Sequence, residues 1–198
     1  MKKAIIMLSF ALISWGANAQ HDHSSHSQTG NSNTEMEKTD NSKMSSSITV
    51  EQTQSVDVML DTYLALNKAL VEDNSAKAAS SAKTLFDAFA RFDLTTQSAS
   101  QQKELGEIIE DAGEQAEHIS ENNGNIDHQR EHFEILSTDL KDLIVLAGSD
   151  RTLYQTFCPM FNNNEGGMWL SDSRVVMNPF YGSKMMKCGS VQQEINVE

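Results

Sequence analysis

The chain has 198 residues and a formal net charge of −13, with 28 acidic residues against 15 lysines and arginines. An acidic chain without a basic cluster argues against nucleic acid and anionic membrane surfaces as partners, and it is compatible with metal cations. The length allows one ordinary domain once a polar N-terminal part is set aside.

The first 19 residues have the pattern of a secretory signal peptide. Lys2 and Lys3 precede an apolar run at 4–15, and an A-x-A cleavage sequence ends at Ala19. The run is too short to span a bilayer, and no later stretch is long enough. We therefore expect a mature chain that starts at Gln20, lies in the periplasm or outside the cell and is not inserted in a membrane. Its 13 basic and 28 acidic residues give a net charge of −15.

Residues 20–47 form a polar leader dominated by Ser, Asn, Thr and His. Such a composition cannot bury enough apolar surface to offset the entropy of the chain, so the leader is predicted to be disordered. His21, His23 and His26 are additional metal-ligand candidates for loosely bound Cu(II), Zn or Ni, or else part of a solvated spacer. Residues 48–198 are predicted to form one helical domain with a C-terminal cap.

The folded part is predicted to be all-α, an antiparallel four-helix bundle. Apolar residues recur with helical spacing in four stretches, near 49–74, 75–92, 98–120 and 125–148. Four helices of this length joined by short loops most economically form such a bundle. Beyond Ser149 the periodicity is lost, and Asn, Gly and Pro predict a loop-rich cap. The stretches LYQTF and RVVM in this cap could be short strands.

The cap holds both cysteines of the chain, Cys158 in the stretch CPM and Cys188 in MMKC. In an oxidising compartment two cysteines commonly pair, and a disulfide closing this loop would stabilise the fold by about 3–4 kcal/mol. Met160 and Met185 lie within three residues of the cysteines. Thiolates and thioethers together select a soft cation such as Cu(I). The residues by themselves leave both interpretations open.

Two weaker ligand candidates accompany the sulfur residues. Met186 is an additional thioether candidate beside the methionine already named. His132 lies next to Phe133, which belongs to the apolar stripe of the fourth predicted helix, so it stands at the edge of the core and is either structural or a nitrogen ligand. His128 shares the face of His132 at a spacing of four, yet His128 and His118 are predicted to be surface residues.

An enzyme is the least supported class. The sequence has no Ser/His/Asp signature, no Gly-rich phosphate loop and no H-E-x-x-H motif. With two cysteines and no C-x-x-C, it also lacks the pattern of a thiol oxidoreductase. We therefore predict a non-catalytic protein.

Five motifs in the C-terminal part resemble a known family. QREHFEILS, YQTFCPM, WLS, NPFYG and MMKCG follow one another over residues 129–189. They are similar to an uncharacterised bacterial periplasmic domain family, whose members occur alone or joined to adaptor subunits of copper/silver and other heavy-metal efflux pumps. The resemblance implies a helical bundle and a role in copper or heavy-metal handling. Transferred residue by residue, it implies ligands at Cys158, Met160, Met185, Cys188 and His132.

The leading hypothesis is a periplasmic protein that binds Cu(I), or Ag(I) by the same chemistry, and acts as chaperone, buffer or efflux accessory. The alternative is an interaction domain without a metal, in which a Cys158–Cys188 disulfide holds the cap. That domain would dock an efflux adaptor or another periplasmic partner through the surface formed by GGMWLS. Counting free thiols separates the two hypotheses.

Overall fold

The computed structural model describes residues 45–53 and 55–198, so the predicted signal peptide and the leader histidines His21, His23 and His26 lie outside the described residues. The helices are α1 (Asp57–Val71), α2 (Ser75–Phe89), α3 (Ala99–Glu121), α4 (Ile126–Ala147) and the short α5 (Phe161–Asn164). The strands are β1 (Ser46–Val50), β2 (Leu153–Cys158), β3 (Gly167–Ser171) and β4 (Ser190–Val197). None of the helices described combines the length and apolarity needed to cross a membrane.

The prediction of an all-α bundle is wrong, because a four-stranded mixed sheet completes the fold. Its order is β1-β4-β2-β3, with β1 parallel to β4 and β2 antiparallel to both neighbours. Strand β1 begins at Ser46, inside the polar stretch predicted as leader. The stretch RVVM is irregular, while GMWLS forms β3. In β4 only Ile195 is fully buried, so the sequence carries no alternation from which this strand could be predicted.

Helices α2 and α4 begin at asparagines, Asn74 and Asn125, whose side chains accept hydrogen bonds from free backbone N–H groups. The side chain of Asn74 accepts a hydrogen bond of 2.9 Å from the N–H of Lys77 at the start of α2. Gly148 ends α4 with a φ of +88°, and a Cβ there would collide with the carbonyl oxygen of Glu51. Glycine is therefore required where α4 turns into the sheet.

One tyrosine ties the helices to the sheet. The ring of Tyr63 on α1 stacks on Phe133 of α4 with centroids 5.1 Å apart. Its hydroxyl lies 2.7 Å from Oγ of Ser137 and accepts a 3.0 Å hydrogen bond from the N–H of Leu170 on β3. The hydroxyl is thus satisfied in the core, where an unpaired one would be costly. Helices and sheet share one continuous core.

Candidate metal centres

The sheet brings the two cysteines together. Cys158 is the last residue of β2, and Cys188 precedes β4 by two residues. Because β2 and β4 pair antiparallel with Phe157 opposite Ser190, the two thiols meet across 30 residues of sequence. Their Sγ atoms are 2.8 Å apart, and both cysteines are free. Cys158 is fully buried, whereas Cys188 is partly exposed.

A glycine makes this approach possible. Gly189, between Cys188 and β4, has a φ of +127°. A Cβ at this position would lie 2.8 Å from the carbonyl oxygen of Phe157 and 2.9 Å from the ring of Trp169. The chain can pass this close to β2 and adopt this conformation only without a side chain. The glycine of the MMKCG motif therefore positions the cysteine before it.

The surroundings of the thiols keep Cys188 protonated. Burial, followed by the hydrogen bond and the charge of Cys158, raises the pKa of Cys188 to about 11, and the backbone N–H of Met160 acts in the opposite direction. Tyr181 stands beside the pair, and its hydroxyl donates a 2.7 Å hydrogen bond to the carbonyl oxygen of Met160. The side chain of Met160 is 46% exposed. A metal ion that binds here must displace the thiol proton.

A buried asparagine shapes the loop that carries Cys188. Nδ2 of Asn178 donates a 2.8 Å hydrogen bond to the carbonyl oxygen of Cys188, and Oδ1 accepts from the N–H groups of Phe180 and Tyr181 at 2.8 and 3.1 Å. The N–H of Asn178 donates to the carbonyl oxygen of Met186 at 2.8 Å. Asn178 is fully buried. It therefore fixes both ends of the loop, a role that the NPFYG motif alone did not reveal.

The methionines lie in the two turns that carry the cysteines. Met160 follows Cys158 by two residues, and the N–H of Cys188 donates a 3.0 Å hydrogen bond to the carbonyl oxygen of Met185. Met185 and Met186 are both partly buried. The backbones of Met160 and Met185 therefore lie in the same two turns as the cysteines.

An ion pair between the buried Arg130 and the partly exposed Asp73 attaches the loop to the helices. The guanidinium of Arg130, only 3% exposed, donates to the carbonyl oxygens of Pro179 and Leu70 at 2.8 and 2.9 Å, and to Oδ1 of Asp73 at 2.6 Å. The N–H of Ser183 donates to the second oxygen of Asp73 at 3.0 Å. Hydrogen bonds from Ser183 and Arg130 lower the pKa of Asp73 to about 2. This pair was not predicted from the sequence. The position of Arg130 close to the apolar stripe of α4 was a signal that its side chain is buried and needs a partner.

His132 lies in a second cluster rather than beside the cysteines. Its ring stacks on that of His118 from α3, with centroids 4.6 Å apart and planes at 2°, and meets the ring of His128 edge-on at 4.5 Å. Ligand nitrogens of the three rings lie within 4.8 Å of one another. His118, His128 and His132 are named the histidine trio below. The spacing of His128 and His132 predicted that they share one face of a helix. His118 joins them only because α3 packs on α4, which the sequence did not show.

A match to a known family lies in the helical part of the chain. Residues 59–152 match the model of a family described as "Protein of unknown function (DUF3347)". No curated protein and no solved structure shows significant similarity to the chain. The matched span includes the histidine trio and ends before Cys158, so the sulfur motifs lie beyond it.

Proposed function

We propose that the chain is an exported, periplasmic protein that binds a soft metal ion, Cu(I) or Ag(I), as its cargo in metal homeostasis. The observation that supports this most directly is the contact of two free thiols at 2.8 Å. Methionines flank both thiols in the same turns. Thiolate and thioether donors favour Cu(I) over harder ions.

The donors fit such an ion after a small adjustment. Two sulfurs bonded to one ion at about 2.3 Å lie at most about 4.6 Å apart, as in zinc–thiolate sites. The Cys158 and Cys188 sulfurs would have to separate by less than about 2 Å, which rotation of the partly exposed Cys188 side chain can supply. Met160, 46% exposed, can complete the set from the solvent side.

The exposed thioether supports a role in transfer. A buried thiol pair would hold the ion, while Met160 at the surface gives an incoming ligand access to it. The resemblance of the C-terminal motifs to domains joined to efflux adaptors supports such an adaptor as the receiving partner. The ion is then handed from one set of sulfur ligands to another, without catalysis by the protein.

The test is an anaerobic titration of the reduced protein with Cu(I) against a competing chelator of known affinity. We expect one tight equivalent that is lost in Cys158→Ser/Cys188→Ser, because both thiolates bind the ion. Met160→Leu should weaken binding, because one thioether donor is lost. Met177→Leu is the matched control, because the Met177 sulfur instead accepts a 3.5 Å contact from Nζ of Lys187. Equal copper binding by the double variant would refute the sulfur site.

The same contact between the sulfurs favours a second candidate, a structural disulfide. Oxidation of the two thiols would join the end of β2 to the start of β4 and hold the cap for a protein partner. Protein purified without reductant would then contain no free thiol, whereas the metal-binding form contains two. Removal of the disulfide would also lower stability by a few kcal/mol.

A further inference from the structure

The hydrogen bonds of the histidine trio leave two nitrogen lone pairs facing each other. Nδ1 of His132 lies 2.7 Å from Oε1 of Gln115, an acceptor, so this nitrogen carries the ring proton. Nδ1 of His128 lies 3.2 Å from Oε2 of Glu131, again an acceptor. In neutral rings the two Nε2 atoms are then both lone-pair acceptors, yet they are 3.2 Å apart. Their mutual repulsion is relieved by a cation that binds both lone pairs from one side.

The distance between these nitrogens fits a metal ion. Imidazole nitrogens at about 2.0–2.1 Å from a tetrahedral zinc ion lie about 3.3–3.4 Å from each other. The Nε2 atoms of His128 and His132 are thus almost at this spacing without any movement. His118, whose ring is parallel to that of His132, must rotate to direct a lone pair at the same point. Its side chain is exposed, so rotation meets little resistance.

The surroundings favour a divalent cation. Helix α3 carries seven carboxylates and one lysine, which gives this surface a negative potential. Gln115 and Glu131 hold the ring protons on the far nitrogens, as the outer hydrogen-bond partners of metal-bound histidines do.

We propose that the histidine trio is a second metal site, specific for a borderline divalent ion such as Zn²⁺ or Cu²⁺. Three imidazoles from α3 and α4 bind the ion, and water fills the remaining position. Nitrogen donors suit these ions, whereas the sulfur centre suits a soft monovalent one. The inference rests on residues separate from those of the proposed Cu(I) site and does not depend on it.

The test uses Zn²⁺, which is redox-inert toward the thiols, in a competition titration with a chromophoric chelator. The full chain with His21, His23 and His26 replaced by Asn is the reference, because it removes the leader donors. Relative to it, His128→Gln/His132→Gln should lose one equivalent of zinc while its helical circular dichroism is unchanged. Cys158→Ser/Cys188→Ser should retain that equivalent, so failure of this site and failure of the sulfur site are distinguishable.

A positioning residue gives a second, finer test. Gln115→Leu should weaken zinc binding about 10-fold or more, because the proton of His132 loses its acceptor. Gln102→Leu, near the start of the same helix, is the matched control and should bind zinc as the reference does. Nitrogen NMR should show the Nε2 signals of His128 and His132, and not their Nδ1 signals, shifting on zinc addition. A zinc stoichiometry that the double histidine change leaves the same, or an equivalent that is lost only when the cysteines are replaced, overturns the proposal.

Discussion

The two candidate metal centres are built from different kinds of structure. The sulfur centre lies where loops meet the end of a sheet. Its loop is held by Asp73, in the turn after α1, and by Arg130 of α4. The histidine trio lies on two neighbouring helices, where spacing along each helix and one packing contact set the geometry. The sulfur centre should therefore lose metal affinity when a polar residue that holds its loop is removed. The same change should leave the metal affinity of the histidine trio unaltered.

The largest effect is expected for Asn178→Ala. The side chain makes three hydrogen bonds inside the protein, and their loss should lower the free energy of unfolding by about 3 kcal/mol. Urea denaturation measures this change, and Cu(I) affinity should fall with it while zinc affinity stays the same. Asn178→Asp, which keeps only the acceptor side, serves if the alanine variant does not fold. An unchanged urea midpoint in both variants would contradict the role of Asn178.

Asp73→Asn should remove a pH-dependent part of the stability. The folded pKa of about 2 lies below the usual 3.8, so the ionised Asp73 stabilises the fold above pH 4 and this contribution is lost as the pH falls toward 2. Because the side chain is 35% exposed, we expect about 1.5 kcal/mol at pH 7. Thermal unfolding of both proteins from pH 2 to 7 measures the difference. Asp127→Asn, which removes an 81% exposed partner of Arg130, should change little.

Asp139→Asn should stabilise the helical region. Burial, with the charges of Asp111, Asp142 and Glu134, raises the pKa of Asp139 to about 6, and its Oδ2 is buried without a hydrogen-bond partner. The wild type should therefore lose stability as the pH rises from 4 to 6, and the penalty should be complete above 6. The free energy of unfolding of the variant should rise by about 1 kcal/mol at pH 7.5. This is less than the full difference between the two pKa values implies, because the carboxyl is partly solvated.

That gain should vanish below pH 4, where the wild-type carboxyl is protonated in both states. A melting-temperature series at several pH values would show the two curves converging on the acid side. A gain that is the same at pH 3.5 and 7.5 would show that charge is not its cause.

The smallest effect is expected for Lys103→Ala on α3. Its ion pair with Glu107 has an N–O distance of 2.8 Å, but the two side chains are 84% and 63% exposed. Exposed pairs of this kind contribute little. Melting temperature and zinc affinity should both stay within experimental error, which makes this variant the control for charge changes on the same helix.

The helices were predictable from sequence because their signal is local. The stretches predicted at 75–92, 98–120 and 125–148 correspond to Ser75–Phe89, Ala99–Glu121 and Ile126–Ala147. The apolar spacing lies within each segment, and the capping residues Asn74 and Asn125 stand at the start of α2 and α4. The first predicted helix began too early, because β1 occupies Ser46–Val50 and α1 begins only at Asp57.

The sheet and the second cluster were not predictable because they depend on contacts between distant segments. Nothing within SVQQEINV alternates strongly, and its strand is defined by pairing with β1 and β2. The sulfur residues were recognisable by chemical type, while the residues that position them, Asn178 and Arg130, look ordinary in the sequence. His132 was assigned to the sulfur set by the family resemblance, and its stacking on His118 depends on the packing of α3 on α4, which the sequence does not show.

The central position of β4 also sets an order of folding. This strand lies between β1 and β2, although it is the last of the four along the chain. The helices can form from local contacts as soon as they are synthesised, whereas the sheet closes only when residues 190–197 arrive. Cys158 and Cys188 therefore stay apart through most of synthesis and meet in the final assembly step. The chain acquires its sulfur centre only as the sheet closes.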